Sequence, residues 1–177
     1  MRRLLLLRHA KTEKDGPTGR DRDRRLDERG HRDAQEIGAY IAEHGLVPAQ
    51  AFVSTAVRTR QTWDIVSKEW PEVTVDHLDE LYGADAGGLL GIVRAAVGDD
   101  PQSLLVVAHN PGLHEFALAL AGSGSARARQ ALHDNLPTSG LIVIDFPVDD
   151  WSGISFRRGR LERFVSPRLL KEGSDGA

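Results

Sequence analysis

The chain has 177 residues, 40% hydrophobic and 28% charged, with a net charge of −3 and no cysteine. That length suits one domain with a substantial core, and the near-balanced charge supplies no global basic field for nucleic acid or an anionic membrane. Without cysteine there is no disulfide, no thiolate nucleophile and no cysteine-ligated zinc or iron–sulfur centre.

The chain opens with MRRLLLLRHAKT. Leu4–Leu7 is an unbroken apolar run, the pattern of a central strand buried on both faces, and it leads directly into Arg8 and His9. The run is shorter than the roughly 7–15 residues of a secretory h-region, and Arg8, His9 and Lys11 interrupt it. No later stretch approaches the roughly 20 apolar residues of a membrane span, so the expected location is cytoplasmic. Residues 19–33, GRDRDRRLDERGHRD, hold six arginines against five carboxylates. With the signs nearly cancelling, this segment reads as a solvated helix entry laced with ion pairs rather than a nucleic-acid patch.

Glu28–His44 follows as a helix, with Ala34, Ile37, Tyr40 and Ile41 at helical spacing and Gly45 as its stop. Ala51–Val53 is a short strand. Ser54 or Thr55 is placed to cap the next helix, which carries Val57, Gln61, Ile65 and Val66 and is ended by Pro71. Val73–Val75 is a weaker strand, Gly88–Val97 a helix and Leu104–Ala108 another continuous apolar strand. Pro111 suits an early position in a helix running through Phe116 and Leu120. Leu141–Phe146, Ile154–Phe156 and Leu161–Val165 complete the strands, with a turn at Val148–Gly153. Strands alternating with helices imply a layered α/β domain with a largely parallel sheet and an antiparallel edge from the late hairpin. One domain is expected over 1–165, with a polar, flexible tail over 166–177. The connection from Val75 to Leu104 has room for a loop and one helix, so no large cap is expected and the site should be open.

In open α/β sheets, ligands bind beyond the carboxyl ends of the strands. Three strands here end in Arg8-His9, in Ser54-Thr55-Ala56-Val57-Arg58 and in His109-Asn110-Pro111-Gly112. If they are parallel neighbours, two histidines and two arginines meet at one rim. Guanidinium forks and imidazoles suit a tetrahedral oxyanion, above all a phosphoryl group, and helix starts near Thr55 and Pro111 would add oriented N–H groups. A metal site is disfavoured, because no carboxylate accompanies either histidine and arginines repel a cation. Each residue also has a plainer reading. His109 suits a core histidine satisfied by a backbone carbonyl, and Arg58 a surface helix residue paired with Asp64 or Glu13, as Arg60 does. The case for a site rests on three strand ends carrying the same chemistry.

LLLLRHAKT, STAVRTRQT and VVAHNPGL, in that order and spacing, resemble the histidine phosphatase superfamily, and within it the SixA-type phosphohistidine phosphatases. DRDRRLDERG (21–30), ELYGA (80–84) and LPTSGLIVIDF (136–146) extend the resemblance over nearly the whole chain apart from the tail. Ala108 departs from the glycine found at this position in many relatives, without changing a catalytic group. The resemblance implies a three-layer α/β/α sandwich of the phosphoglycerate mutase-like kind, without a large cap insertion, and a metal-independent phosphatase needing no cofactor. It implies that His9 is the nucleophile, forming a covalent phosphohistidine that water hydrolyses. Arg8, Arg58 and His109 would hold the phosphoryl oxygens. Physical chemistry agrees: flanking cations keep an imidazole neutral and nucleophilic, and fixed positive groups stabilise a transferring phosphoryl. For a general acid, Glu80 is the first positional candidate, followed by Asp79 and Asp85, although small SixA-like members can dispense with one because a phosphoramidate leaves readily. Arg24 matches a recurrent arginine that supports the site. Asn110 is expected to shape the turn and cap the helix, and Ser54 and Thr138 to act as supporting hydrogen-bond donors.

The expected partner is a phosphorylated protein, specifically a phosphohistidine-containing domain that a shallow rim would admit. Two alternatives stay open: a phosphomonoesterase on a small phosphorylated metabolite, and a non-catalytic phosphopeptide-binding module.

Overall fold

The computed structural model describes residues 1–95 and 100–173. Among these residues seven strands form one sheet: β1 (Arg2–Arg8), β2 (Gln50–Ser54), β3 (Thr74–Leu78), β4 (Ser103–Ala108), β5 (Ala121–Gly124), β6 (Leu141–Phe146) and β7 (Gly159–Val165), in the order β3-β2-β4-β1-β6-β7-β5. β1, β2, β3 and β4 are mutually parallel, and β6 runs antiparallel to both β1 and β7. β5 pairs parallel with β7 at the edge. The central position of β1 explains its leucines. Leu4 and Leu6 face one apolar core and Leu5 and Leu7 the other, all with no solvent exposure. Burying each contributes roughly 1.5–3 kcal/mol.

The helices cover both faces, giving three layers. α1 (Glu28–Glu43) and α2 (Val57–Val66) pack over Leu5 and Leu7 through Ile37, Tyr40, Ile41 and Trp63. α3 (Ala86–Arg94), α4 (Gly112–Leu120) and α5 (Ala126–Asp134) pack over Leu4 and Leu6 through Leu89, Leu113, Phe116 and Leu132. No helix among the described residues is long and apolar enough to cross a membrane.

The differences from the expected elements have local causes. Ile154–Phe156 is not a strand: Ile154 follows a short 3-10 turn, Trp151–Gly153, and Arg157 takes a positive φ of 65°, so β7 begins only at Gly159 and its pairing with β6 at Arg160. α2 is capped by neither Ser54 nor Thr55; its N-cap is Ala56, with no side-chain bond, and the helix ends at Val66, well before Pro71. α3 starts two residues early because Asp85 caps it by accepting from the Gly88 N–H at 2.8 Å; the expected end at Val97 lies outside the described residues. β5 and α5 had no periodic signal strong enough to announce them. Within the expected tail, Ser166 caps a short helix, α6 (Pro167–Lys171), with Pro167 buried and Leu170 packed on the core that holds Leu5 and Leu7.

Candidate active site

β1, β4 and β2 are consecutive parallel neighbours, so their carboxyl ends open on one rim. Arg8 pairs with Ala108 in register, which sets His9 beside His109. The two imidazole centroids lie 5.5 Å apart, tilted by 52°. His9 is 6% exposed, Arg58 5% and His109 9%. The structure thus brings His9, Arg8, Arg58 and His109 together.

A turn fixes the end of β1. The Ser139 N–H donates to the carbonyls of both Arg8 and His9 at 3.1 Å. Ser139 adopts φ 60°, a left-handed conformation uncommon for a residue with a Cβ. Upstream in this turn, the Leu136 carbonyl accepts from Arg8 Nη1 at 3.1 Å and from Asn110 Nδ2 at 2.9 Å. Asn110 Oδ1 also accepts from the His114 N–H at 3.2 Å, so this residue ties the turn to the start of α4, as expected. On the other side, buried Thr62 accepts from the Ala10 N–H at 2.9 Å and donates to the Arg58 carbonyl at 2.7 Å, coupling β1 to α2.

His9 Nδ1 lies 2.8 Å from the Ala10 carbonyl. A carbonyl only accepts, so the proton of the neutral ring sits on Nδ1 and the Nε2 lone pair is left bare. Burial, chiefly, pushes the His9 pKa down to about 3, with His109, Arg58 and Arg8 adding repulsion. His109 is pushed down to about 4, again mainly by burial and then by Arg58. Both rings are therefore neutral at pH 7. Four buried polar atoms of site residues lack a partner among the described residues: Arg8 Nε, Arg58 Nε, His109 Nδ1 and Ser139 Oγ. Three of these belong to cationic or imidazole donors, the chemistry that an oxyanion satisfies.

Arg58 is neither a surface residue nor a partner of Asp64 or Glu13. Its Nη1 donates to the Asp21 carbonyl at 2.7 Å and its Nη2 to Asp21 Oδ2 at 2.9 Å, while Glu13 meets Arg25 at 3.4 Å. Arg60 is exposed, as expected. Asp21 also accepts from Arg24 Nε at 3.0 Å and from the Tyr82 hydroxyl at 2.6 Å. The Tyr82 bond, then the Arg58 contacts, hold the Asp21 carboxyl down at about 2. Arg24 thus lies one residue from Arg58, its Nη1 donating to Thr12 Oγ1 at 2.8 Å. His109 bonds to the Ser54 hydroxyl, at 2.7 Å, and not to a backbone carbonyl.

Asp21 and Tyr82 escaped sequence reading. Asp21 is one of five carboxylates in a charge-balanced run, and nothing local singles it out. Tyr82 stands in the ELYGA segment, where attention falls on the acids. Its ring meets His109 edge-on at 5.4 Å and packs under Arg22, whose guanidinium lies 4.6 Å from the ring centroid. Glu80 is exposed on the 3-10 turn Asp79–Leu81 and makes no side-chain hydrogen bond among the described residues. Asp79 instead accepts from Thr55 Oγ1 at 2.5 Å and from Arg22 at 3.2 Å, and Asp85 is engaged as the α3 cap. Thr138 is partly buried in the turn before β6.

Nearly the whole chain is similar to known proteins. A functionally uncharacterised protein of Mycobacterium leprae is 32% identical over 168 residues, covering 92% of this chain and all of that one. The crystal structure of a proposed phosphohistidine phosphatase SixA from Agrobacterium tumefaciens superposes with a TM-score of 0.78 at 32% identity, covering 94% of this chain and 99% of that one. A second proposed SixA, from Nakamurella multipartitia, gives 0.76 at 27% identity, covering 94% and 96%. The model of the histidine phosphatase superfamily, branch 1, matches residues 4–115, and with that match the chain belongs to this superfamily of histidine-nucleophile phosphatases.

Proposed function

We propose that His9 is the nucleophile and that the protein dephosphorylates phosphohistidine carried on another protein. The observation that supports this most directly is the His9 ring itself: neutral, with Nδ1–H tied to the Ala10 carbonyl and Nε2 bare among the donors of Arg8, Arg58 and His109. Nε2 attacks phosphorus as the bond from phosphorus to the leaving group breaks, and the leaving atom keeps that electron pair and takes a proton from solvent water. Water then attacks the phosphorylated His9, the P–Nε2 bond breaks, and inorganic phosphate departs. Arg8, Arg58 and His109 hold the equatorial oxygens, where charge builds in the transition state. A leaving imidazole is a far better leaving group than an alkoxide. This fits a site whose carboxylates, Asp21 and Asp79, are held ionised rather than poised as acids.

The open rim favours a protein substrate. Between β3 and β4 the described residues form only a short 3-10 turn and α3, and the relatives described as proposed phosphohistidine phosphatases share this architecture over most of their length. Incubation with a phosphohistidine-bearing domain and with a panel of phosphorylated metabolites tests the substrate, and acid-labile phosphate trapped on His9 tests the intermediate. His9→Ala should abolish turnover while retaining affinity for inorganic phosphate. Turnover surviving in that variant would refute the nucleophile, and preferential hydrolysis of a metabolite would refute the substrate.

A further inference from the structure

The Ser54 hydroxyl sits at the carboxyl end of β2 with no solvent exposure. Its Oγ lies 2.7 Å from His109 Nε2 and accepts, at 3.5 Å, from the Ala56 N–H. Its own proton needs an acceptor inside the protein, and among the described residues His109 Nε2 is the one in reach. Were the bond reversed, with Nε2–H donating, Oγ would receive two donors and its proton would be buried without a partner, the costly arrangement for a polar group. Ser54 O–H therefore donates to Nε2, and the proton of neutral His109 sits on Nδ1. Nδ1 is the ring atom that is buried and lacks a partner among the described residues.

We propose that Ser54 is a positioning residue that selects the His109 tautomer, so that the neutral ring presents an Nδ1–H donor to a phosphoryl oxygen. The phosphoryl contact rests on the reading given above; the tautomer does not. The groups facing His109 are Arg8 at the end of β1, His9 just after it, Asp21 and Arg22 from the loop before α1, Arg58 from α2, and Tyr82. Burial and the excess of cations keep the ring uncharged, and only an uncharged ring has a tautomer to choose. The two histidines then carry their proton on the same atom yet do opposite work. A backbone carbonyl takes the Nδ1–H of His9 and bares its Nε2, while a hydroxyl occupies the Nε2 of His109 and leaves its Nδ1–H to donate.

Histidine-selective 15N NMR at pH 7 reads the tautomer directly and needs no turnover, so a wrong substrate or nucleophile would leave it unaffected. The expected spectrum shows His109 with Nδ1 protonated and Nε2 bare, and inorganic phosphate perturbs Nδ1. Ser54→Ala should give a mixture of tautomers and lower kcat/KM about tenfold, with weaker inhibition by phosphate, and Ser54→Thr should restore both. A wild-type proton on Nε2 would overturn the proposal. So would an Nδ1 indifferent to phosphate, or a Ser54→Ala variant with unchanged tautomer and kinetics.

Discussion

Asp21 grips the far end of the Arg58 guanidinium, its side-chain Oδ2 accepting from Nη2 at 2.9 Å and its carbonyl from Nη1 at 2.7 Å. That grip leaves the Arg58 Nε–H buried and without a partner among the described residues. Two effects oppose each other. The carboxylate repels an incoming phosphoryl, yet its bonds orient the guanidinium. The Asp21 side chain is 53% exposed, so water screens the repulsion and orientation dominates. Asp21→Ala is expected to lower kcat roughly tenfold, about 1.4 kcal/mol of barrier, without weakening inhibition by inorganic phosphate. Steady-state kinetics with phosphate as competitor decides this, and an unchanged kcat would show that the grip is idle.

Stability should depend on pH through the two buried histidines. Their folded pKa values, about 3 for His9 and about 4 for His109, lie below the unfolded value near 6.5. Below pH 6.5 the unfolded chain takes up protons that the folded chain refuses, so their contribution is complete above pH 6.5 and is lost as pH falls through the window toward 4 and 3. With two such groups the slope approaches about 2.7 kcal/mol per pH unit. Urea unfolding between pH 7 and 5, where carboxylates contribute little, should show stability falling with a slope that steepens toward this value, and His9→Gln should remove about half of it. A flat wild-type profile would mean that the rings are protonated in the folded state.

Thr62 is the strut between the strand that leads into His9 and the helix that carries Arg58. Thr62→Val keeps the shape but leaves the buried Ala10 N–H without its acceptor, at a cost of about 1–3 kcal/mol. The same change frees the end of β1, so kcat should drop further than the loss of stability alone explains at temperatures where the variant is fully folded. Chemical denaturation alongside kinetics on the folded protein separates the two effects.

Gly112 opens α4 where the helix meets the segment after Tyr82. A Cβ there would fall 1.8 Å from the Ala84 carbonyl oxygen, a backbone atom with little freedom to yield. Gly112→Ala should destabilise the fold by about 1–3 kcal/mol and, by displacing the turn at His109, reduce activity as well. Gly91→Ala, at a position with open space in α3, is the matched control and should be tolerated.

Much of this was legible in the amino-acid order because the site is built on strand ends. An unbroken apolar run such as Leu4–Leu7 or Leu104–Ala108 has to lie centrally in a sheet, and the polar residues that end it have to emerge at a rim. Arg8, His9, Arg58 and His109 could therefore be named before any contact was known. Edge elements were harder. β5 is the short, glycine-bearing segment Ala121–Gly124, and its strand character comes from pairing with β7 rather than from its own pattern. The residues after Phe146 promised a strand at Ile154–Phe156, but a 3-10 turn and a positive φ at Arg157 delayed it.

The sequence by itself determined which residue types converge and at which end of the sheet, because burial and strand polarity follow from local pattern. Only the tertiary structure decided what those groups do to one another: that Asp21 rather than Asp64 or Glu13 holds Arg58, that Ala10 and Ser54 settle the two imidazole tautomers, and that Tyr82 wedges between Arg22 and His109. Those choices depend on distances of a few ångströms between segments far apart in the chain. Hydrogen-bond direction and desolvation are set by such distances, and no local periodicity encodes them.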